Sequence, residues 1–260
     1  MQTMSHSSLK KGLGQQWEGV DLTLLDTVDS TNDWLKSHSG DLPRLVVAKE
    51  QTGGRGSHGR VWCSPPGGLY WSLETTFLDR LSTALPLMVG VSIAQVLQAL
   101  GFHGVGVKWP NDLLVNGAKL GGILVERVYD SRHAPSVIVG VGINTTTPKI
   151  APLIQGRSVV GLDSLRASDA NPLDGDELIG RMARAVLDAT SVPADALEQN
   201  LQAQWSAFDV LNGQSVKIEQ PNGDVVEGNA VGITAAGALR VSTAAGESVF
   251  YSGDCQLKSL

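Results

Sequence analysis

The chain has 260 residues, and its 20 basic and 26 acidic side chains leave a net charge of -6 at pH 7. A chain of this length can bury a large core without disulfides or a structural metal, in one domain or in a large and a small one. Its acidity argues against nucleic-acid binding through a general positive field. Its two cysteines, Cys63 and Cys255, exclude a disulfide scaffold and a Cys/His zinc site, and they favour a reducing cytoplasm.

The beginning of the chain carries few structural signals. Residues 1–20 are rich in Ser, Gly, Gln and Lys and show little periodicity, so we predict a flexible leader that is not an export signal. No later run reaches the roughly 18 apolar residues of a membrane span, so we expect no membrane anchor. Ser30, followed three residues later by Asp33, indicates the start of a short helix that ends near Gly40.

Strands dominate the next part of the chain. Apolar runs predict strands over residues 22–25, 45–48, 69–77, 105–109, 112–115, 119–128 and 137–143. Apolar side chains recur at helical spacing up to residue 100, with Ser82 or Thr83 as the cap of that helix. Two further helices are predicted, one around residues 178–186 and one over residues 193–205.

The pattern changes near residue 210. Short strands are predicted over residues 216–219, 225–231, 238–242 and 248–251, and glycine-containing turns separate them. Such a stretch is typical of a small barrel of about fifty residues. We therefore predict an α/β (α+β) domain at residues 21–209 and an all-β domain at residues 210–260.

Residues 53–60, with the sequence GGRGSHGR, combine four glycines with Arg55 and Arg60. Glycines let backbone N–H groups approach a ligand and arginines bind phosphate or carboxylate, so the segment indicates an anion-binding loop. A mobile surface loop is the alternative. The segment also matches dinucleotide-binding and kinase glycine motifs, but the prolines at residues 65 and 66 prevent the helix that the first requires, and the other kinase motifs are missing.

Residues 108–112, with the sequence KWPND, end a predicted strand and present three polar side chains. Lys108, Asn111 and Asp112 could hold an ATP phosphate, a base edge and an amine nucleophile, or they could belong to an ordinary exposed turn. The Asn-Gly turn that follows predicts a hairpin that brings Lys119 back toward Asp112. A solvated lysine is the alternative for Lys119.

Three other places carry weaker signals. The polar side chains of Ser30, Thr31 and Asn32 either start a helix and do nothing more, or bind a neutral polar head group such as a urea. Trp62 either belongs to the core or stacks on adenine. Asn144 follows small residues at the end of a strand, which suits close approach of a ligand.

Five motifs taken together are far more specific than any one of them. They are DSTN at residues 29–32, QTGGRG at 51–56, KWPND at 108–112, KLGGILVE at 119–126 and GIN at 142–144. In order and spacing, the chain resembles a biotin protein ligase over roughly residues 22–257. The resemblance implies a catalytic domain like that of class II aminoacyl-tRNA synthetases, with a mixed sheet and flanking helices, followed by an SH3-like β-barrel.

The resemblance implies a reaction in two steps. Biotin and Mg-ATP give biotinyl-5'-adenylate, and a lysine of the biotin carboxyl carrier domain of an acyl-CoA carboxylase then takes the biotinyl group. We expect a cytoplasmic monomer or weak homodimer that has no nucleic-acid or membrane partner and no metal ligands of its own. Family members that repress transcription have a DNA-binding module before the catalytic domain, and only about twenty residues precede it here, so we expect no repressor activity.

The resemblance also assigns roles by position. The residues implied for biotin are Ser30, Thr31, Asn32, Gln51, Arg55, Gly56, Ser57 and Lys119. Those implied for ATP are Arg55, Arg60, Trp62, Lys108, Asn111 and Asn144. Lys119 and Arg55 would stabilise the charge that grows during adenylation, and Asp112 would orient and deprotonate the acceptor lysine.

The chain departs from the family pattern at Ser57, where the family usually has arginine. We therefore expect weaker retention of the adenylate. Two other functions remain open at this point: a lipoate protein ligase, which is related in fold and chemistry, and a non-catalytic sensor of biotin or nucleotide.

Overall fold

The computed structural model describes residues 4–76, 84–128, 135–147, 158–165 and 174–257. The helices are α1 (His6–Leu13), α2 (Thr31–Ser37), α3 (Ala84–Ala99), α4 (Gly175–Thr190) and α5 (Ala194–Gln204). The strands of the first domain are β1 (Asp21–Val28), β2 (Arg44–Gln51), β3 (Leu69–Thr76), β4 (Val105–Lys108), β5 (Asp112–Val115), β6 (Ala118–Val128) and β7 (Ser136–Ile143). The cap predicted for α3 at Ser82 or Thr83 lies outside the described residues.

These seven strands form one mixed sheet in the order β1-β2-β3-β7-β6-β5-β4. The neighbours β1 and β2 run parallel, and the other neighbours in this sheet are antiparallel. The predicted Asn-Gly turn joins β5 to β6, with Asn116 at φ 49° and Gly117 at φ 79°, and such backbone angles suit a tight hairpin. The prediction of an α/β (α+β) domain with a mixed sheet is confirmed.

The two faces of the sheet have different partners. Val47 and Val139 point into the main core, which also holds the buried side chains of α3 and α4. Their neighbours Val46 and Ile138 point to the opposite face and pack with Leu35 of α2. Successive residues of a strand alternate between faces, so α2 lies on the side of the sheet opposite α3 and α4. We call this side the α2 face.

The N-terminal residues correct the prediction of a flexible leader. Ser5 caps α1 by accepting a hydrogen bond from the Ser8 backbone N–H, and Leu9 and Leu13 are buried in the main core. α1 packs against α4, where an added Cβ on Gly180 would lie 2.2 Å from the Leu9 carbonyl oxygen. An eight-residue helix is marginal alone, so this tertiary contact supplies its stability.

The remaining strands form a separate five-stranded antiparallel sheet. They are β8 (Ser215–Glu219), β9 (Val225–Ile233), β10 (Leu239–Thr243), β11 (Gly246–Phe250) and β12 (Asp254–Leu257), in the order β11-β10-β9-β8-β12. The sequence pattern did not predict β12. Hydrogen bonds join this second domain to the first: the Val210 N–H donates to the Val107 carbonyl at 3.2 Å, and Trp109 Nε1 donates to the Gly237 carbonyl at 3.1 Å.

Across the described ranges, no helix combines the length and the apolar character that a membrane span would need.

Candidate active site

A cavity of about 530 Å³ opens on the α2 face of the sheet. Its floor contains glycines on neighbouring strands: Gly122 of β6 pairs with Gly142 of β7, and Gly140 lies two residues from Gly142. Any larger residue at these glycine positions would collide with neighbouring side chains. An added Cβ on Gly140 would lie 2.2 Å from Asn32 Oδ1, and one on Gly142 would lie 2.3 Å from Trp62 Nε1.

The start of α2 supplies a polar corner of this cavity. Ser30 caps the helix by accepting a hydrogen bond from the Asp33 N–H at 3.4 Å, and it also lines the cavity. The binding of a head group by Ser30 stays a prediction. The Thr31 N–H and hydroxyl donate to Gln51 Oε1 at 2.9 and 3.1 Å. Gln51 Nε2 in turn donates to Ser64 Oγ at 2.8 Å, so its amide has a defined orientation.

Beneath this corner lies Ser72 of β3, which is fully buried. Its hydroxyl lies 2.5 Å from Asn32 Oδ1 and 2.6 Å from Thr31 Oγ1. Because an amide oxygen can only accept, the Ser72 hydroxyl donates its single proton to Asn32 Oδ1. The Thr31 hydroxyl also has one proton, which serves either Gln51 Oε1 or Ser72 Oγ, while the Thr31 N–H donates to Gln51 in both cases. These contacts hold the first residues of α2 in a defined orientation.

Glu126 of β6 joins this corner to the glycine-rich segment. Its Oε2 accepts from Asn32 Nδ2 at 2.7 Å, while its Oε1 accepts from Lys36 Nζ at 2.8 Å and also from Arg55 Nη2. Burial favours the neutral carboxyl, but the hydrogen bonds from Asn32 and Lys36 and the charges of Lys36 and Arg55 outweigh it. The pKa of Glu126 therefore lies below its usual value.

The glycine-rich segment is itself held in place by its two arginines. Arg55 Nη1 pairs with Asp33 Oδ1 at 3.2 Å, in addition to its contact with Glu126. Arg60 donates to the Ser57 carbonyl at 3.2 Å and to Ser57 Oγ at 3.0 Å. Arg60 Nη1 also lies 3.5 Å from Asp254 Oδ1, at the start of β12. The second sheet therefore contacts the segment that lines the cavity.

The β5–β6 hairpin brings Lys119 and Asp112 together as expected. Lys119 Nζ lies 2.6 Å from Asp112 Oδ1 and 5.1 Å from the centroid of the Trp62 ring. The Trp62 indole packs on Gly122 and Gly142, and its buried Nε1 has no hydrogen-bond partner among the described residues. Lys119 and Arg55 come from separate segments and line the same cavity, as the predicted chemistry requires.

Almost all of the predicted site residues line this cavity. They are Ser30, Thr31, Asn32, Gln51, Arg55, Gly56, Ser57, Arg60, Trp62, Asn111, Asp112, Lys119 and Asn144. Their individual roles stay predictions. Lys108 is buried on β4, the edge strand, where it pairs with Asp112 of β5, and it is not among the residues that line the cavity. Its role at the ATP site also stays a prediction.

Sequence reasoning missed Ser72 and Glu126 as parts of the site. Both occupy positions on the α2 face, in register with neighbours on β7: Ser72 pairs with Gly140, and Glu126 pairs with Ile138. The available signals were a serine among the apolar residues at the start of β3 and, for Glu126, its place at the end of the KLGGILVE motif. Tyr70, on the same face, also lines the cavity; burial and the nearby Cys63 and Glu50 raise the pKa of its hydroxyl.

The described residues contain no group of three or more His, Cys, Asp or Glu side chains that could hold a metal ion. Carboxylates do line or approach the cavity, but Asp112 is paired with Lys119 and Glu126 with Arg55 and Lys36. What the arrangement offers is a polar corner for a neutral head group, two cations for an anion, and a carboxylate beside one of them.

Comparison with known proteins agrees with this geometry. The model of the "Biotin/lipoate A/B protein ligase family" matches residues 24–144, and that of the "Biotin protein ligase C terminal domain" matches residues 212–258. The bifunctional ligase/repressor BirA of Escherichia coli is 30% identical over 257 residues, which are 96% of this chain and 78% of the relative. The biotin--[acetyl-CoA-carboxylase] ligase of Mycobacterium tuberculosis is 30% identical over 253 residues, 94% of this chain and 90% of the relative.

Solved structures give the same result for the fold. The biotin protein ligase of Aquifex aeolicus in complex with biotin and ATP superposes with a TM-score of 0.74 at 26% identity, covering 92% of this chain and 98% of that one. Its R40G mutant in complex with biotin gives a TM-score of 0.76 over the same shares of the two chains. The chain described here therefore belongs to the biotin protein ligase family.

Proposed function

We propose that this protein activates biotin with ATP to biotinyl-5'-adenylate and transfers the biotinyl group to a lysine of a biotin carboxyl carrier domain. One observation carries the proposal: Arg55 and Lys119 line the same cavity as the polar start of α2. A head group and an anion can therefore be bound in one ligand. The named ligase relatives and the related structure with biotin and ATP support the same function.

In the first step, a carboxylate oxygen of biotin attacks the α-phosphorus of ATP, and pyrophosphate leaves. Lys119 and Arg55 stabilise the negative charge that grows between the carboxylate and the α-phosphate. Mg²⁺ enters as part of the substrate Mg-ATP, with the phosphates as its main ligands. Asn144, Asn111, Arg60 and Trp62 form the nucleotide side.

In the second step, the ε-amine of the acceptor lysine attacks the acyl carbon of the adenylate, and AMP leaves. The incoming lysine must first lose a proton, and Asp112 is the carboxylate at the cavity that can accept it. Asp112 is paired with Lys119 at 2.6 Å. When Lys119 turns toward the acyl phosphate, the carboxylate of Asp112 can receive the ammonium group of the acceptor.

The setting of the reaction is part of the proposal. The acceptor is the carrier domain of an acyl-CoA carboxylase, and the protein acts in the cytoplasm as a monomer or weak homodimer. A reducing compartment suits the thiol of Cys63, which is free, exposed and part of the cavity wall.

The decisive experiment incubates the purified protein with biotin, Mg-ATP and a purified carrier domain, and measures the mass of the carrier domain. We expect one biotinyl group per carrier domain. The Lys119→Ala variant should keep its fold and lose about 10²–10³-fold in biotin-dependent exchange of pyrophosphate into ATP. Undiminished exchange would remove the role given to Lys119.

Two controls separate the other functions. Replacing biotin by lipoate in a titration with ATP present should abolish tight binding; tight binding of lipoate would instead indicate a lipoate ligase. A sensor would bind biotin and yet catalyse no pyrophosphate exchange.

A further inference from the structure

Glu126 has no role in the reaction described so far, although it ends the KLGGILVE motif and contacts three site residues or their neighbours. Its side chain is 22% exposed and lies on the α2 face of β6. One carboxylate oxygen faces Asn32 alone, and the other faces the two cations Arg55 and Lys36. The two oxygens therefore serve different parts of the site.

The oxygen toward Asn32 determines which way the Asn32 amide points. An ionised carboxylate only accepts hydrogen bonds, so the partner atom at 2.7 Å must be the amide nitrogen Nδ2. The amide oxygen then faces Ser72, whose hydroxyl donates to it at 2.5 Å. The side chain cannot swing away toward the sheet, because it already rests on Gly140.

This arrangement leaves one donor for a ligand. Asn32 Nδ2 carries two protons, and Glu126 accepts one of them. No other described residue accepts the second proton, and Asn32 lines the cavity. The head group of biotin is a cyclic urea, whose carbonyl oxygen accepts hydrogen bonds and whose two N–H groups donate.

We propose that Glu126 is a positioning residue for biotin: its carboxylate fixes the Asn32 amide so that an N–H group faces the ureido carbonyl. Through its other oxygen, the same carboxylate holds Arg55 and thereby links the glycine-rich segment to the head-group site. The inference rests on the proposed function, because it takes biotin as the ligand of the cavity.

The variant Glu126→Gln tests the proposal by changing one acceptor atom into a donor. The oxygen that remains on the substituted side chain will face Arg55 and Lys36, because the alternative places an NH₂ group against two cations. The NH₂ group then faces Asn32 and forces its amide to turn over. Asn32 would present an oxygen to the ureido carbonyl, and we expect the Kd for biotin to rise at least tenfold.

The matched control is Lys36→Met. Lys36 contacts the same carboxylate, but its replacement leaves the bond between Glu126 and Asn32 in place, and Lys36 does not line the cavity. The Kd of this variant for biotin should stay within about threefold of the native value.

A ligand analogue distinguishes a turned amide from general damage. 2-Iminobiotin carries a guanidinium that donates where the biotin carbonyl accepts. Titration of both ligands should therefore show that Glu126→Gln shifts the ratio of affinities at least tenfold toward 2-iminobiotin, relative to the native protein. Equal losses for both ligands, or unchanged affinity for biotin, would overturn the proposal.

The outcomes also separate this inference from the proposed function. Native protein that does not bind biotin contradicts the function, whereas native binding with an unchanged ratio contradicts only the role of Glu126. If Glu126→Gln does not fold, ¹⁵N NMR of the Asn32 side-chain amide in the native protein gives the answer. Biotin should shift one amide proton strongly and leave the other, bonded to Glu126, protected from exchange; an amide that biotin leaves unperturbed contradicts the proposal.

Discussion

Ser57 shows how one side chain changes the way in which an anion-binding segment is held. Here its hydroxyl and carbonyl accept hydrogen bonds from Arg60, so Ser57 supports a guanidinium and does not supply one. The glycine-rich segment therefore contains only the two arginines Arg55 and Arg60, and Arg55 forms ion pairs with both Asp33 and Glu126. An arginine at this position, which the family usually has, would add a charge-assisted contact to a bound adenylate, and such a contact is worth about 1.5–3 kcal/mol when fully formed.

We therefore expect Ser57→Arg to slow the release of biotinyl-5'-adenylate. The added guanidinium can reach the acyl phosphate from within the segment, and a gain of about 1.4 kcal/mol corresponds to a tenfold slower dissociation. Dissociation of preformed adenylate is followed after mixing with excess unlabelled biotin. Ser57→Ala is the control, because it removes the bond to Arg60 without adding a charge. Equal release rates for native protein and Ser57→Arg would contradict the prediction.

A second prediction concerns the pKa of Glu126. Lys36 lowers this pKa through its hydrogen bond and its charge, so Lys36→Met should raise it toward the usual value for a glutamate. Because the native pKa is lowered, the ionised group stabilises the fold above the unfolded-state pKa, and this contribution is lost as the pH falls through the native value. Carboxyl ¹³C NMR titration of the two proteins measures the change, which is absent if Lys36 does not act on Glu126.

At this scale, sequence patterns predicted the residues that come in local groups and missed those that act through tertiary contacts. Ser30 and Asn32 lie close together at a helix start, and Lys119 and Asp112 flank a hairpin turn. Glu126, by contrast, is 94 residues from Asn32 in the chain, and the packing of α2 on the sheet brings them together. No single-sequence pattern carries that packing.

Among the elements, α2 is fixed at both of its ends. Its start is bound by Gln51 and Ser72, while its last turn is held by Arg44, which donates to the carbonyls of Leu35 and His38. Arg44 is buried and pairs with Glu74 of β3. A helix held at both ends keeps the polar corner of the cavity in one place, which suits the binding of a rigid bicyclic head group.

The elements differ in how far sequence could predict them. β3, β6 and β7 are long apolar runs, and the β5–β6 hairpin has a turn with its own chemistry, so both were predicted with boundaries close to those observed. α1, by contrast, has only eight residues and is stabilised by its contact with α4, which begins more than 160 residues later in the chain. Local propensity cannot indicate a helix that depends on so distant a contact.

The contact between α1 and α4 gives a prediction at this scale. In Gly180→Ala the new Cβ would lie 2.2 Å from the Leu9 carbonyl oxygen, a backbone atom that cannot move without moving α1. Despite the better helix propensity of alanine, we expect a loss of about 1–3 kcal/mol in the free energy of unfolding. Chemical denaturation measures it. Gly19→Ala serves as the control, since a Cβ there meets no atom within 4 Å, and similar stability of both variants would contradict the prediction.

On the scale of the whole molecule, the small second sheet takes part in the architecture of the site. It contacts the first domain at Trp109, at the end of β4, and it supplies Asp254 to the glycine-rich segment. The same region holds Lys108, which pairs with Asp112 across β4 and β5, at the edge of the sheet that the Val107–Phe208 hydrogen bond covers. Order along the chain does not show which strand ends a sheet.

The pair between Arg60 and Asp254 yields the last prediction. Both side chains are about 30% exposed and lie 3.5 Å apart, so the pair is worth at most about 1 kcal/mol and is screened by salt. Arg60 keeps both bonds to Ser57 when Asp254 is replaced by Asn. We therefore expect Asp254→Asn to release adenylate measurably faster than native protein at low ionic strength, by a factor of up to about five. At high ionic strength the two rates should converge, because salt already weakens the native pair.

Glu247→Gln is the matched control, since it breaks an exposed arginine pair within the second sheet that does not touch the cavity. A rate for Asp254→Asn that equals the native rate at low salt would show that the second sheet does not hold the segment through Arg60.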